Sequence, residues 1–249
     1  RHLDRDARVH LVNETSACAV LSVMGPRSRE VLQALTPDDL SHAAFPFATS
    51  RDIELGYTRV RASRITYVGE LGFELTIATE FALGIYEILA AQGIRHAGYH
   101  ALNSLRLEKA YRHWGHDIGD EDTPFDAGLM FVVRPDKAGG FIGRDALLRQ
   151  VEGGRRRALV QFRLLDPTPL LYHNEPVFRD GALVGYITSG MYGYTLGGAV
   201  GLGYVADPEG IDDAWLAAGQ FEVEVAGTRW PACASLTPLY DPDNRRVRC

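Results

Sequence analysis

The chain has 249 residues, 46% hydrophobic and 23% charged, a composition typical of soluble globular proteins with enough apolar mass for a real core. Its formal net charge of −6 argues against the basic surplus that a nucleic-acid footprint needs, and no stretch approaches the run of about 18 apolar residues of a membrane span. Cys18, Cys233 and Cys249 have neither metal-ligand spacing nor the even count of a disulfide framework, so a reducing, cytoplasm-like compartment is expected.

"RHLDRDARVHLVNETSA" opens without methionine and reads as the polar tail of a helix leading into a strand, so the chain is expected to be a fragment that begins inside an element. Strands are predicted at Val9–Val12 and Cys18–Met24, with Cys18 as a buried small hydrophobe. "GPRSREVLQAL" predicts a helix: Pro26 suits its first turn, and Val31, Leu32 and Leu35 have helical spacing. "TPDDLSHAAFPF" is a loop, and Tyr57–Ala62 with Arg64–Val68 reads as a strand region turned by "GELG". After the turn, Phe73, Leu75 and Ile77 alternate with Glu74 and Thr76, which gives the strand one apolar and one polar face. Helices follow over Thr79–Ala91 and over "HALNSLRLEKAYRHWG". The next stretch reads as an acidic loop, a strand and a short helix over Arg144–Val151, ending in the linker signal "EGG". From Arg155 onward short strands alternate with turns such as "RDG" and "AGT", the pattern of a small barrel or sandwich. The chain therefore divides near residue 153, α+β before it and all-β after it.

Several catalytic readings fail on context. "GGAVGLG" lies in a β-patterned region rather than between a strand and a helix, so it is no dinucleotide loop. His113 and His116 flank Trp114 where the preceding helix ends, a surface and capping arrangement rather than a metal pair. No G-x-S-x-G elbow is present. What remains is a set of polar residues in apolar or aromatic settings: Tyr67, Glu70 and Glu74 at the turn, Arg106 and Glu108 on the helix, and Tyr192 and Tyr194 in "SGMYGYTLGG". A carboxylate with nearby rings suits a flat heterocycle with an N–C–NH2 edge. The same residues are equally the material of structural ion pairs and of a tyrosine-covered barrel surface.

"YVGELGFEL", "ALNSLRLEKAYRHWGHDIGDEDTPFDAGL", "FIGRDALLRQ", "TSGMYGYTLGGAVGLGYV" and "PLYDP" occur in an order that resembles the glycine-cleavage T-protein (aminomethyltransferase) superfamily. Within it the chain is most similar to the C-terminal folate-binding half of dimethylglycine dehydrogenase, dimethylglycine oxidase and sarcosine dehydrogenase. Leu102, where the glycine-cleavage enzyme has arginine, favours that dehydrogenase-like branch.

The resemblance implies an α+β, partial three-lobed folate-binding fold with a C-terminal all-β barrel. It implies an N-terminally incomplete folate-binding domain over 1–153 and a barrel domain over 154–249. By resemblance Glu74 binds the pterin edge and Tyr67 lines the folate pocket, with Arg106 and Tyr192 as further candidates. Glu70 keeps a turn position, and Arg106 with Glu108 fits a structural ion pair as well as a ligand contact. The family's catalytic aspartate falls upstream of residue 1, so no catalytic residue is assigned here. The implied cofactor is tetrahydrofolate, with FAD only in a separate upstream domain, since no FAD fingerprint occurs in this chain. The implied reaction is capture of the methylene group of an oxidised N-methyl amine as 5,10-methylenetetrahydrofolate. Implied partners are folate, a small N-methyl amine donor and an FAD-dependent oxidoreductase domain in the same full-length chain or a partner subunit, with no nucleic acid and no membrane. The arginine-rich, lysine-poor composition further suggests a GC-rich bacterial genome and hence the bacterial cytoplasm. Alternatives within the resemblance are a stand-alone aminomethyltransferase, an O- or S-demethylase, or a folate-binding module without turnover.

Overall fold

The computed structural model describes residues 6–249, and residues 1–5 of the helix tail predicted at the start lie outside the described residues. The described residues form two compact units: residues 6–66, 70–96 and 246–249 make the first, and residues 67–69 and 97–245 the second.

The first unit is built on strands β1 (Cys18–Met24), β2 (Ser50–Leu55), β3 (Thr58–Ser63) and β4 (Gly72–Ala78). They form one antiparallel sheet in the order β1-β4-β3-β2. Phe73, Leu75 and Ile77 point into a core with Val23, Ile53, Leu55, Val60 and Ala62. Helices α1 (Ser28–Gln33) and α2 (Thr79–Ala90) add Leu32, Ile85 and Leu89 to it. The alternation read from the sequence is thus the two faces of β4, buried and open.

Four local expectations are corrected. Val9–Val12 is not a strand: its residues are exposed, Leu11 at 88% and Val12 at 76%, and no neighbouring strand pairs with them among the described residues. Cys18 is exposed rather than buried, because β1 is an edge strand whose outward positions include Cys18, Val20 and Ser22. Ser50–Leu55 forms the edge strand β2, ahead of the strand region expected from Tyr57, and Arg64–Val68 is irregular rather than extended. The strand expected after the acidic loop is a single 3₁₀ turn over Met130–Val132.

The second unit pairs helix α3 (Tyr99–Glu108) with a barrel. A shorter helix, α4 (Arg144–Glu152), leads to the barrel strands. The predicted helix ran to Gly115, but α3 stops at Glu108. Ala110 takes a left-handed φ of 56° and the Tyr111 N–H closes back on the Arg106 carbonyl at 2.8 Å, a Schellman-type ending. Strands β5 (Arg157–Leu164), β6 (Pro176–Arg179), β7 (Ala182–Gly193), β8 (Gly198–Ala206), β9 (Phe221–Val225) and β10 (Thr228–Ser235) close in the order β10-β5-β8-β7-β6-β9. The "RDG" and "AGT" turns are two-residue hairpins, with left-handed Asp180 and Gly181 in one and Ala226 and Gly227 in the other.

Strand β8 is buried on both faces. Ala199 and Val205 belong to the core with Phe162, Val177, Ile187 and Val223, while Val200, Leu202 and Tyr204 pack with Leu107 and Ala110 at the end of α3. At Gly203 a Cβ would lie 2.6 Å from the Tyr186 carbonyl oxygen of β7, so this glycine of "GGAVGLG" serves close strand packing, while Gly197, with φ 69° and open space around it, serves the turn. Among the described residues no helix is long and apolar enough to cross a membrane.

Candidate functional site

Glu74 stands on the open face of the first unit's sheet, opposite Ser22 of β1 and Ser63 of β3, and Ser63 in turn faces Ser50 of β2. The Ser50 and Ser63 hydroxyls lie 3.0 Å apart, which makes a polar row across four strands. On the same face Arg61 is bound to Asp52 at 3.0 Å. Glu74 is half-buried, and its carboxylate has no hydrogen-bond or ion-pair partner among the described residues. Two oxygens held at a fixed strand position and left unsatisfied by the protein suit an N–C–NH2 edge, whose two donors they would match. Glu70, by contrast, is engaged with Arg246 at 3.4 Å.

The other candidates lie in the second unit. Tyr67 donates its phenol proton to the Arg112 carbonyl at 2.9 Å and stacks on Tyr111, with ring centroids 6.0 Å apart and 12° between planes. Burial pushes the Tyr67 phenol above its ordinary range against the opposing charge of Arg106, and burial with the Asp241 carboxylate does the same at Tyr111. Tyr67 therefore offers a fixed aromatic wall whose hydroxyl is already engaged. The Tyr192 ring meets Tyr194 edge-on at 5.1 Å, and the Tyr192 carbonyl accepts the Ser104 hydroxyl at 2.7 Å.

Arg106 is 2% exposed, and its guanidinium is engaged by three protein groups. It reaches Asp117 at 2.5 Å, Asn103 Oδ1 at 3.1 Å and the Tyr111 carbonyl at 3.2 Å. Asp117 is fully buried. Its Oδ1 accepts the hydroxyls of Thr188 at 2.6 Å and Ser189 at 2.5 Å, and its Oδ2 accepts Arg106 and the His113 amide at 2.9 Å. Glu108 is not the partner of Arg106: its Oε1 accepts the amides of Thr195 and Leu196 at 2.6 and 2.9 Å and so braces the β7–β8 turn. Gln161 of β5 donates to the Leu107 and Glu108 carbonyls, satisfying the end of α3. Lys109 is buried against Asp241, with Nζ 3.2 Å from Oδ2. His113 and His116 have ring centroids 4.7 Å apart in the turn after α3, and His113 Nε2 lies 3.3 Å from the Tyr99 hydroxyl.

Sequence reasoning passed over Asp117, Thr188 and Ser189. Asp117 sits in an acidic loop beside Asp120, Glu121 and Asp122, and nothing in the string distinguishes the one that is buried.

The sheet unit, the polar-braced helix and the closed barrel define an α+β protein of the aminomethyltransferase type, and comparison with known proteins gives the same class. A GCVT N-terminal domain model matches residues 1–137, and a glycine cleavage T-protein C-terminal barrel domain model matches residues 157–241. The chain belongs to the glycine cleavage T-protein family. It is 44% identical, over 94% of its length, to a 4-methylaminobutanoate oxidase (formaldehyde-forming) of Paenarthrobacter nicotinovorans, and covers 28% of that protein. It is 36% identical, over 98% of its length, to the mitochondrial sarcosine dehydrogenase of Mus musculus, of which it covers 27%. The chain thus spans between a quarter and a third of these two relatives. A solved structure of the glycine cleavage system aminomethyltransferase T from Bartonella henselae is 26% identical, with a TM-score of 0.77 over 90% of this chain and 60% of that one.

Proposed function

We propose that this chain binds tetrahydrofolate and captures the one-carbon unit released from an oxidised N-methyl amine, as the folate half of a flavin-dependent demethylating enzyme. The observation that carries the reading is Glu74, a half-buried carboxylate on a fixed strand without a protein partner among the described residues. Within the first unit Glu74 would accept the N–C–NH2 edge of the pterin, and within the second Tyr67, fixed by Tyr111 and the Arg112 carbonyl, would supply a rigid aromatic face for folate. Arg106 would act through the loop that it holds rather than by touching the ligand, and Tyr192 would contribute a further ring.

Tetrahydrofolate, when bound, supplies the amine nitrogens that take up the carbon. The chain's residues would orient it and keep water away, because a free iminium hydrolyses to formaldehyde. The donor is a small N-methyl amine of the sarcosine or methylaminobutanoate kind, and the preceding oxidation belongs to an FAD-dependent domain of the same protein or a partner subunit. We assign 1–153 to the folate-binding domain and 154–249 to the barrel domain. Family membership supports the folate reading, while the relatives' names, a formaldehyde-forming 4-methylaminobutanoate oxidase and a sarcosine dehydrogenase, support the N-methyl amine donor rather than the capture step.

Isothermal titration with tetrahydrofolate tests the reading. Glu74→Ala is expected to weaken binding about ten- to a hundredfold, the worth of a charge-assisted hydrogen-bonded pair. Equal affinity in Glu74→Ala and the parent would remove the pterin assignment.

A further inference from the structure

We propose that Asp117 is a positioning residue that transmits the geometry of the barrel to the Tyr67 phenol, an inference that rests on the folate reading of Tyr67 above.

The chain of contacts starts in β7. Side chains along a regular strand point alternately to opposite faces, so consecutive residues do not serve one acceptor. Between Ile187 and Ser189 the β7–β8 register shifts: Ile187 faces Gly203, Ser189 faces Leu202, and Thr188 is the extra residue. This bulge turns two successive hydroxyls toward the same carboxylate oxygen, with Thr188 at 2.6 Å and Ser189 at 2.5 Å from Asp117 Oδ1. The other oxygen of Asp117 faces the segment after α3, where it takes Arg106 and the His113 amide.

From there the backbone of residues 110–113 is held peptide by peptide. Arg112 Nη1 donates to the Ala110 carbonyl at 2.7 Å, and Arg106 Nη1 donates to the Tyr111 carbonyl at 3.2 Å. The His113 amide is fixed by Asp117, and the intervening Arg112 carbonyl is the acceptor of the Tyr67 hydroxyl at 2.9 Å. The peptide that holds Tyr67 therefore has one end, the His113 N–H, on Asp117 and the other, the Arg112 C=O, on the phenol. Rotation of that peptide moves both together, since its six atoms are planar. Asp117 lies buried and does not itself line a ligand surface. Its buried network specifies one orientation of a peptide whose carbonyl sets the ring.

The experiment is a double-mutant cycle on tetrahydrofolate affinity. Asp117→Asn and the milder Ser189→Ala are each made in the parent chain and in Tyr67→Phe, and binding is read by titration calorimetry with amide hydrogen exchange at His113 alongside. Asp117→Asn is expected to weaken binding about tenfold and Ser189→Ala about threefold, with faster exchange at His113. Both losses should vanish in Tyr67→Phe, where no hydroxyl reads the Arg112 carbonyl. A purely architectural Asp117 would give the same fold loss in both backgrounds, and that result overturns the proposal. If Asp117→Asn fails to fold, Ser189→Ala decides alone, since it leaves Asp117 three hydrogen bonds. Unchanged affinity in Tyr67→Phe together with a loss in Glu74→Ala overturns the positioning role and leaves the folate reading standing. No binding by the parent, or unchanged affinity in both Tyr67→Phe and Glu74→Ala, overturns the folate reading and this inference with it.

Discussion

The open face of the first unit's sheet and the girdle around α3 in the second unit use the same side chains in opposite ways. On the sheet, Arg61 and Asp52 pair in water at 64% and 47% side-chain exposure, and Glu74 has no partner among the described residues. Around α3, Arg106, Asp117 and Glu108 are each no more than 2% exposed, and each hydrogen-bonds within the protein. A buried charge must be matched or the fold bears several kcal/mol of desolvation, whereas a half-buried one on a solvated face can wait for a ligand. The difference separates residues that hold the architecture from one that is available for recognition, and composition alone does not make that separation.

The comparison breaks most readily at Asp117. Asp117→Ala leaves Arg106 charged, buried and without its carboxylate, and frees the Ser189 hydroxyl and the His113 amide, while the Thr188 hydroxyl keeps the Leu202 carbonyl at 3.0 Å. A loss of about 3–5 kcal/mol is expected in chemical denaturation of the chain. A loss below about 1 kcal/mol would mean that water relaxes into the network and that the girdle is no more rigid than the sheet face. Glu108→Ala should cost less, about 2 kcal/mol, because it frees two amides of the β7–β8 turn but strands no opposite charge. Its cost should appear as faster amide exchange at Thr195 and Leu196.

How much of this was legible follows from the same distinction. The alternation of Phe73, Leu75 and Ile77 announces a strand with one wet face, and "RDG" and "AGT" announce hairpins, because period and turn chemistry are local. Strand β2 escaped because "SRDIEL" carries only two core residues, Ile53 and Leu55, as an edge strand with one buried face can. Val9–Val12 had the apolar spacing of a strand without a pairing partner among the described residues, and pairing is a non-local property. For the site, the string could nominate Glu74 and Arg106 alike. It could not show that Arg106 is consumed by an aspartate 11 residues on, nor that a bulge in β7 aims Thr188 and Ser189 at that aspartate.

Glu74→Ala sharpens the comparison from the sheet side. The substitution removes no protein hydrogen bond among the described residues, so stability should stay within about 0.5 kcal/mol of the parent while folate affinity falls as described above. A loss of stability comparable to that of Glu108→Ala would reassign Glu74 to the architecture. The pairing of unchanged stability with weakened binding distinguishes a ligand acceptor from a brace.

Tyr204 gives the smallest effect and the most specific one, because it breaks the rule of its own region. It is 4% exposed beside the α3 girdle, yet its hydroxyl makes no hydrogen bond of regular geometry among the described residues, the Asp122 carboxylate being the acceptor that acts on it, and the Arg157 guanidinium lies 3.6 Å over its ring. Burial, reinforced by the Asp122 carboxylate, raises its phenol far above the ordinary tyrosine value of about 10. A group whose folded pKa is raised contributes stability that is complete below the unfolded value and is lost as pH climbs toward the folded one. The chain should therefore hold its stability to about pH 10 and lose it progressively above, with Tyr204 as one source. Tyr204→Phe keeps the ring under Arg157 and deletes only the hydroxyl, so at pH 7 it should lie within about 0.5 kcal/mol of the parent. Above pH 10 the variant should unfold later than the parent in a pH-ramped melt. If both chains share one alkaline profile, the hydroxyl is solvated or paired in solution, and Tyr204 then follows the rule of its region.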